Sequence, residues 1–171
     1  STYSNIVVPN IYSEQIQVMI QTLIPHRKHV LVCGPTGTGK SVYVFDTINK
    51  HMDQTKYKPM GLGFSAKTSA NMTQDIIDGK LDKRRKGVFG PPVNKLAIVF
   101  VDDLNMPAKE EYGAQPPVEI LRQWMDHSGW YNRDETVYMQ LVDLQFIAAM
   151  GPPGGAGAPS SPSAMCAILV C

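Results

Sequence analysis

At 171 residues, with 43% hydrophobic and 18% charged side chains, the chain is sized for one compact globular domain and is too apolar for a disordered or fibrous protein. The 16 Lys plus Arg against 15 Asp plus Glu leave a formal charge of +1. No global field draws nucleic acid or an anionic membrane to it, so any anion must be held locally.

In chain order, Ile11, Ile16, Met19, Ile20 and Leu23 form a helical stripe that predicts a helix over 11–23, ended near Pro25. The continuous apolar run 29–33, stopped by Gly34-Pro35, reads as a buried parallel strand. A helix is expected over 39–52 with Val42, Phe45, Ile48 and Met52 along one side. Residues 59–65 read as a second strand and 68–77 as a helix entered through small and hydroxyl residues. The polar stretch 80–92, broken by Gly and Pro, reads as a loop. Six apolar residues at 96–101 form the third strand, closing on Asp102-Asp103, and Val118, Leu121 and Trp124 give 117–125 helical spacing. Residues 129–142 alternate as a hairpin turning at 132–135, and 144–150 supply a fourth core strand. Strands alternating with helices predict a three-layer α/β sandwich around a parallel central sheet, with a β-hairpin insert.

The core is expected over 1–155. Beyond it, 156–171 is low in complexity and is expected to be a flexible tail. Cys33, Cys166 and Cys171 show neither metal-ligand spacing nor the even count of a disulfide framework, which favours a reducing, intracellular setting. No apolar run approaches the roughly 20 residues that cross a bilayer. The start at Ser1 carries neither a leader pattern nor an initiator Met, as expected of an excised segment.

The chemistry concentrates in two places. Gly34-Pro35-Thr36-Gly37-Thr38-Gly39-Lys40-Ser41 fits the phosphate-loop pattern between a strand and a helix. Its glycines let backbone N–H groups converge on a phosphate while the helix N-terminus adds a favourable dipole. Lys40 reaches the β and γ phosphates in such a loop, and Ser41 offers Mg²⁺ a hard oxygen. Asp102, at the carboxyl end of the apolar strand, stands where open α/β sheets bind ligands. It is the expected Mg²⁺ partner through water, and Asp103 the carboxylate that orients and deprotonates the attacking water. Against these stand plainer readings: a connecting glycine turn, and a pair of acids capping a strand.

The basic run Lys80, Lys83, Arg84, Arg85 and Lys86 lacks interleaved aromatics and is diluted by Asp78 and Asp82, so a solvated segment explains it better than a nucleic-acid patch. His26, His29, His51 and His127 lack ligand companions, and Trp124 and Trp130 read as packing groups.

On these residues the chain resembles the third AAA+ module of axonemal dynein heavy chains, microtubule motors with six such modules in one ring. The resemblance runs through Val7-Val8-Pro9, the loop 34–42, Gly61 to Ala70, Phe100-Val101-Asp102-Asp103-Leu104-Asn105-Met106-Pro107, the stretch 111–117, and Gln145 to Gly155. It implies the large subdomain of an AAA+ P-loop ATPase that binds ATP or ADP with Mg²⁺, with Val7 and Val8 near the adenine. It further implies a regulatory site that gates the first module, and neighbouring modules of the same heavy chain as partners. Microtubules would be reached only through parts absent here, in the cytoplasm and cytoskeleton of the ciliary or flagellar axoneme. Nucleic acid and membrane are not implied.

Two departures weaken catalysis: Asp103 stands where most AAA+ ATPases carry Glu, and Gly151 where many carry a polar side chain that holds the attacking water. After Gly155 the family continues with an arginine finger, a fifth strand and a lid, whereas this chain turns to an unrelated tail. Hydrolysis by this chain alone is therefore expected to be weak or nil. Two rivals stay open: a non-hydrolysing scaffold ordered by nucleotide, and another P-loop NTPase or kinase. Against a GTPase, Asn94-Lys95-Leu96-Ala97 lacks the guanine-reading Asp.

Overall fold

The computed structural model describes residues 10–35 and 37–152, together with the backbone of 167–170. Helix α1 (Ile11–Leu23) begins where Asn10 Oδ1 accepts Ser13 N–H and Ser13 Oγ accepts Asn10 N–H, both at 2.8 Å, a reciprocal capping box. Ile16 and Ile20 are buried, whereas Ile11 and Met19 of the expected stripe face outward. The chain turns through Arg27 (φ 58) into β1 (Val30–Cys33).

Helix α2 (Lys40–Asp46) continues as a wider π turn over Thr47–His51. There Thr47 Oγ1 donates to Tyr43 O at 2.8 Å and Asn49 Nδ2 to Phe45 O at 2.7 Å. Thr47 N–H also reaches Tyr43 O, so that carbonyl accepts both the backbone and the hydroxyl of Thr47 where the turn widens. The expected apolar stripe is split: Ile48 and Met52 are buried together with Val44, while Val42 is 56% and Phe45 49% exposed.

Strand β2 (Tyr57–Gly63) leads to α3 (Ala70–Asp78), capped by Ser69 Oγ accepting Met72 N–H at 3.1 Å. The expected loop over 80–92 is instead a hairpin, β3 (Asp82–Arg85) and β4 (Val88–Gly90), turning at Gly87 (φ 73). Its buried Val88 and Gly90 and its pairing with a strand remote in sequence outweigh the charges that mark it as solvated. Strand β5 (Leu96–Asp102), helix α4 (Pro116–His127), the hairpin β6 (Gly129–Tyr131) with β7 (Tyr138–Leu141), and β8 (Leu144–Met150) follow as expected. Asn132 Oδ1 accepts the N–H groups of Asp134 and Glu135 in the hairpin turn. Most of the expected tail lies outside the described residues, but Ala167–Val170 forms an edge strand, β9, antiparallel to β1.

The main sheet has the order β2-β5-β8-β1-β9, with the first four strands parallel. A second sheet, β3-β4-β7-β6, joins the two hairpins. Side chains alternate along β5: Ile98 and Phe100 pack with Val44, Ile48 and the α1 residues, while Val99 and Val101 pack with Leu121, Trp124, Trp130 and Phe146. Helices therefore cover both sheet faces, the expected α/β sandwich.

Trp124 Nε1 donates to Leu141 O and Trp130 Nε1 to Asp78 Oδ1, each at 3.1 Å, so both indoles are packing groups with satisfied donors. Burial pushes the Asp78 carboxyl up, with the Trp130 bond opposing. His29 is structural too: its Nδ1 accepts Phe146 N–H at 3.1 Å beneath Trp124, and burial lowers its pKa. Among the described residues no helix is long and apolar enough to cross a membrane.

Candidate functional site at the carboxyl edge

Parallel strands aim their carboxyl ends to one side, and the two motifs meet there. The loop after β1 turns on Gly37 (φ 82) and Gly39 (φ 76), conformations that side chains disfavour. A Cβ at Gly39 would also stand 3.1 Å from the Tyr43 ring. The loop is anchored at its start by Gly34 N–H donating to Met150 O at 3.2 Å. Thr38 Oγ1 donates to Pro35 O at 2.9 Å, and Lys40 Nζ to the same carbonyl at 2.5 Å, with Thr38 Oγ1 at 3.4 Å. The half-buried Lys40 thus curls over its own loop. Behind the loop, burial pushes the Cys33 thiol up, with the Lys40 charge opposing.

In the first turn of α2, Ser41 Oγ donates to Asp102 Oδ1 at 2.5 Å. The two residues predicted to share a metal lie 61 positions apart in sequence and touch in space. Asp102 is fixed further: its Oδ1 accepts Asp103 N–H at 2.9 Å, and its carbonyl accepts Phe64 N–H at 3.0 Å. Asp103 itself has φ 53, a left-handed conformation that Asp tolerates better than most residues. Val7, Val8 and Thr36 lie outside the described residues.

Beside this pair opens a cleft of about 600 Å³, bounded by Ser41, Val42, Phe45, Gly61, Phe100 and Asp102. It exists because β2 shows α2 only glycines there; Gly61 lies under the Phe45 ring, which tilts 6.4 Å from Phe100. Two side chains of the basic run are engaged by other groups of the protein. Arg84 bonds Asp143 and the Pro91 carbonyl, and Lys80 Nζ donates to Gly61 O at 3.2 Å.

Sequence reasoning passed over two residues of the edge. Asn105 Oδ1 accepts Gly151 N–H at 3.4 Å, and Gln115 Nε2 donates to the carbonyls of Asn105 at 3.2 Å and Pro107 at 2.6 Å. Their signal was present only as polar residues flanking the second motif.

The family described as P-loop containing dynein motor region matches residues 1–165. Dynein axonemal heavy chain 1 of Homo sapiens is 54% identical over 156 residues, covering 91% of this chain and 4% of that protein. Dynein axonemal heavy chain 12 of Rattus norvegicus is 53% identical over 151 residues, covering 88% of this chain and 5% of that protein. The chain therefore spans about one-twentieth or less of the relatives it matches. Among solved structures, NtrX from Brucella abortus aligns with a TM-score of 0.54 at 16% identity, covering 87% of this chain and 32% of that one, a likeness of fold.

Proposed function

Because the chain belongs to the P-loop containing dynein motor region family, we propose that it binds Mg-ATP through Gly34 to Ser41 and serves as the third, regulatory AAA+ module of an axonemal dynein heavy chain. The contact that carries the reading is Ser41 Oγ on Asp102 Oδ1 at 2.5 Å. A hydroxyl and a carboxylate converging at the mouth of a phosphate loop are the oxygen donors a hard divalent cation takes. Among the described residues no three His, Cys, Asp or Glu side chains gather as a metal group. That fits a cation held by one or two protein oxygens with substrate phosphates completing its shell. When bound, Mg²⁺ would neutralise charge on the β and γ phosphates.

In this reading the loop amides and Lys40 hold the phosphates. Asp103 takes the proton of the attacking water, and the neighbouring modules of the same heavy chain complete the site. Val7 and Val8 are assigned to the adenine by resemblance. The setting is the ciliary axoneme, with microtubules reached through other parts of the parent. A nucleotide-ordered scaffold that does not turn over is the rival, favoured by Asp103 and by Gly151.

Calorimetric titration of the chain with ATP, ADP and GTP, with and without Mg²⁺, tests the proposal. Saturable, Mg²⁺-dependent adenine-nucleotide binding that Lys40→Ala weakens at least about tenfold is expected. Absence of saturation, or equal binding by Lys40→Ala, would sink it.

A further inference from the structure

Hydrolysis at a phosphate loop needs more than phosphate contacts: one water must be held in line with the γ phosphorus while a carboxylate receives its proton. Three strand ends border the loop. β1 runs into it, β5 carries Asp102 with Asp103 following, and β8 ends before Gly151, which has no side chain to offer. The missing polar group comes from the next loop. Asn105 Oδ1 accepts Gly151 N–H at 3.4 Å, and a Cβ built on Gly151 would meet Asn105 Nδ2 first, at 3.7 Å. The Asn105 carboxamide therefore fills the space that a side chain on Gly151 would use.

Its placement is fixed from several directions. Leu104 N–H donates to Ala149 O at 3.0 Å, Asp103 N–H to Asp102 Oδ1 at 2.9 Å, and Gln115 Nε2 to Asn105 O at 3.2 Å. Gly151 follows Met150, whose carbonyl accepts Gly34 N–H at 3.2 Å. The amide thus stands between the Asp102 strand and the first residue of the phosphate loop. With Oδ1 engaged by Gly151, Nδ2 is left as the donor of this amide.

We propose that Asn105 is a water-positioning residue, replacing from the loop after β5 the side chain that Gly151 lacks. The inference rests on the nucleotide-site reading above. The water accepts from Asn105 Nδ2 on one lone pair and gives its proton to Asp103. Its other lone pair forms the bond to the γ phosphorus, while the bond to the bridging oxygen breaks and that electron pair leaves on ADP.

The test compares affinity of the chain for Mg-ADP with affinity for Mg-ADP plus aluminium fluoride, which mimics the phosphoryl group in flight. Asn105→Ala should leave ADP binding within about twofold and weaken the fluoride complex about tenfold, less than a fully buried donor would give because Asn105 is exposed. Gly151 lies outside the left-handed region with room for a Cβ, so the double variant Asn105→Ala/Gly151→Asn should recover most of the loss. Equal effects on both complexes, no effect, or no recovery would overturn the assignment while leaving the nucleotide site standing. No ADP binding by the unaltered chain would instead remove the nucleotide site, and this inference with it.

Discussion

Arg84 sits in the hairpin that was expected to be a loop, and replacing it by Met tests what fastens the second sheet to the first. Its guanidinium donates to Asp143 Oδ2 at 2.5 Å and to Pro91 O at 3.1 and 3.0 Å, with the Arg84 side chain 21% exposed and that of Asp143 30%. Arg27 Nη1 holds the other Asp143 oxygen at 3.1 Å, so Arg84→Met does not strand an unpaired carboxylate. A hydrogen bond to a charged group contributes about 1.5–3 kcal/mol net; partial exposure and the retained Arg27 hold the total loss to about 2–3 kcal/mol. For a chain of this size that is a fall in Tm of roughly 5–10 °C.

The pair also has a pH signature. Burial alone would raise the Asp143 carboxyl, but the bonds and charges of Arg84 and Arg27 outweigh it and hold it below the ordinary range. A depressed folded value means the stabilisation is complete above the unfolded pKa of about 3.9 and is lost as pH falls through the folded value. Thermal unfolding at pH 7 should therefore separate the variant from the unaltered chain more widely than at about pH 3. The double-mutant cycle with Asp143→Asn, apt because Asp143 has φ 54 and Asn tolerates that region, should give coupling of about 1–2 kcal/mol. Coupling under about 0.3 kcal/mol, or a gap that does not change with pH, would refute the reasoning.

Two further outcomes are expected. Burial lowers the pKa of His29 in the folded chain, so the unfolded chain binds more protons as pH falls below about 6.5; unfolding free energy should drop there by at most about 1.4 kcal/mol per pH unit. Urea titrations across that window would show the slope, and its persistence in His29→Gln would exclude this origin. Asp103→Glu should speed phosphate release by lengthening the base one methylene, while lowering Tm by a few degrees because Glu fits φ 53 less well, a strain of about 1–2 kcal/mol. Equal or faster release by Asp103 would rule out the short side chain as the brake.

The phosphate loop and the four parallel strands were legible because their signals are local. Gly34 to Ser41 carry their own geometry, and the apolar runs ending at Cys33, Asp102 and Met150 are continuous, the latter two largely buried on both faces. The β3–β4 hairpin was hidden because what decides it is distant: Arg84 meets Asp143, 59 residues on, and β4 pairs with β7. Five charged residues in a row, Asp82 to Lys86, say loop only until that partner is known. On α2, Val42 and Val44 are equally apolar, and only the position of α1 beside the sheet decides that Val44 turns inward. Asn105 carries no local signal of a role because its partner Gly151 lies 46 residues away.

The hydrogen bonds across the carboxyl edge bear on how such a site could respond to nucleotide. Phe64 N–H to Asp102 O, Leu104 N–H to Ala149 O and Gly34 N–H to Met150 O tie β2 to β5, the loop after β5 to β8, and β8 to the phosphate loop, each within 3.2 Å. Ser41 on Asp102 closes the same seam from α2. A site joined this way is pre-organised, and little of the binding energy need be spent on moving its strands. Lys40 is different, since its ammonium lies on Pro35 O; under the proposed function it exchanges that carbonyl for a phosphate oxygen. The exchange replaces one charge-assisted bond by a stronger one between full charges, so it costs little and stays local. Any larger motion driven by nucleotide would then have to move this edge as one body against whatever packs beside it, because the seam leaves no strand free to shift alone.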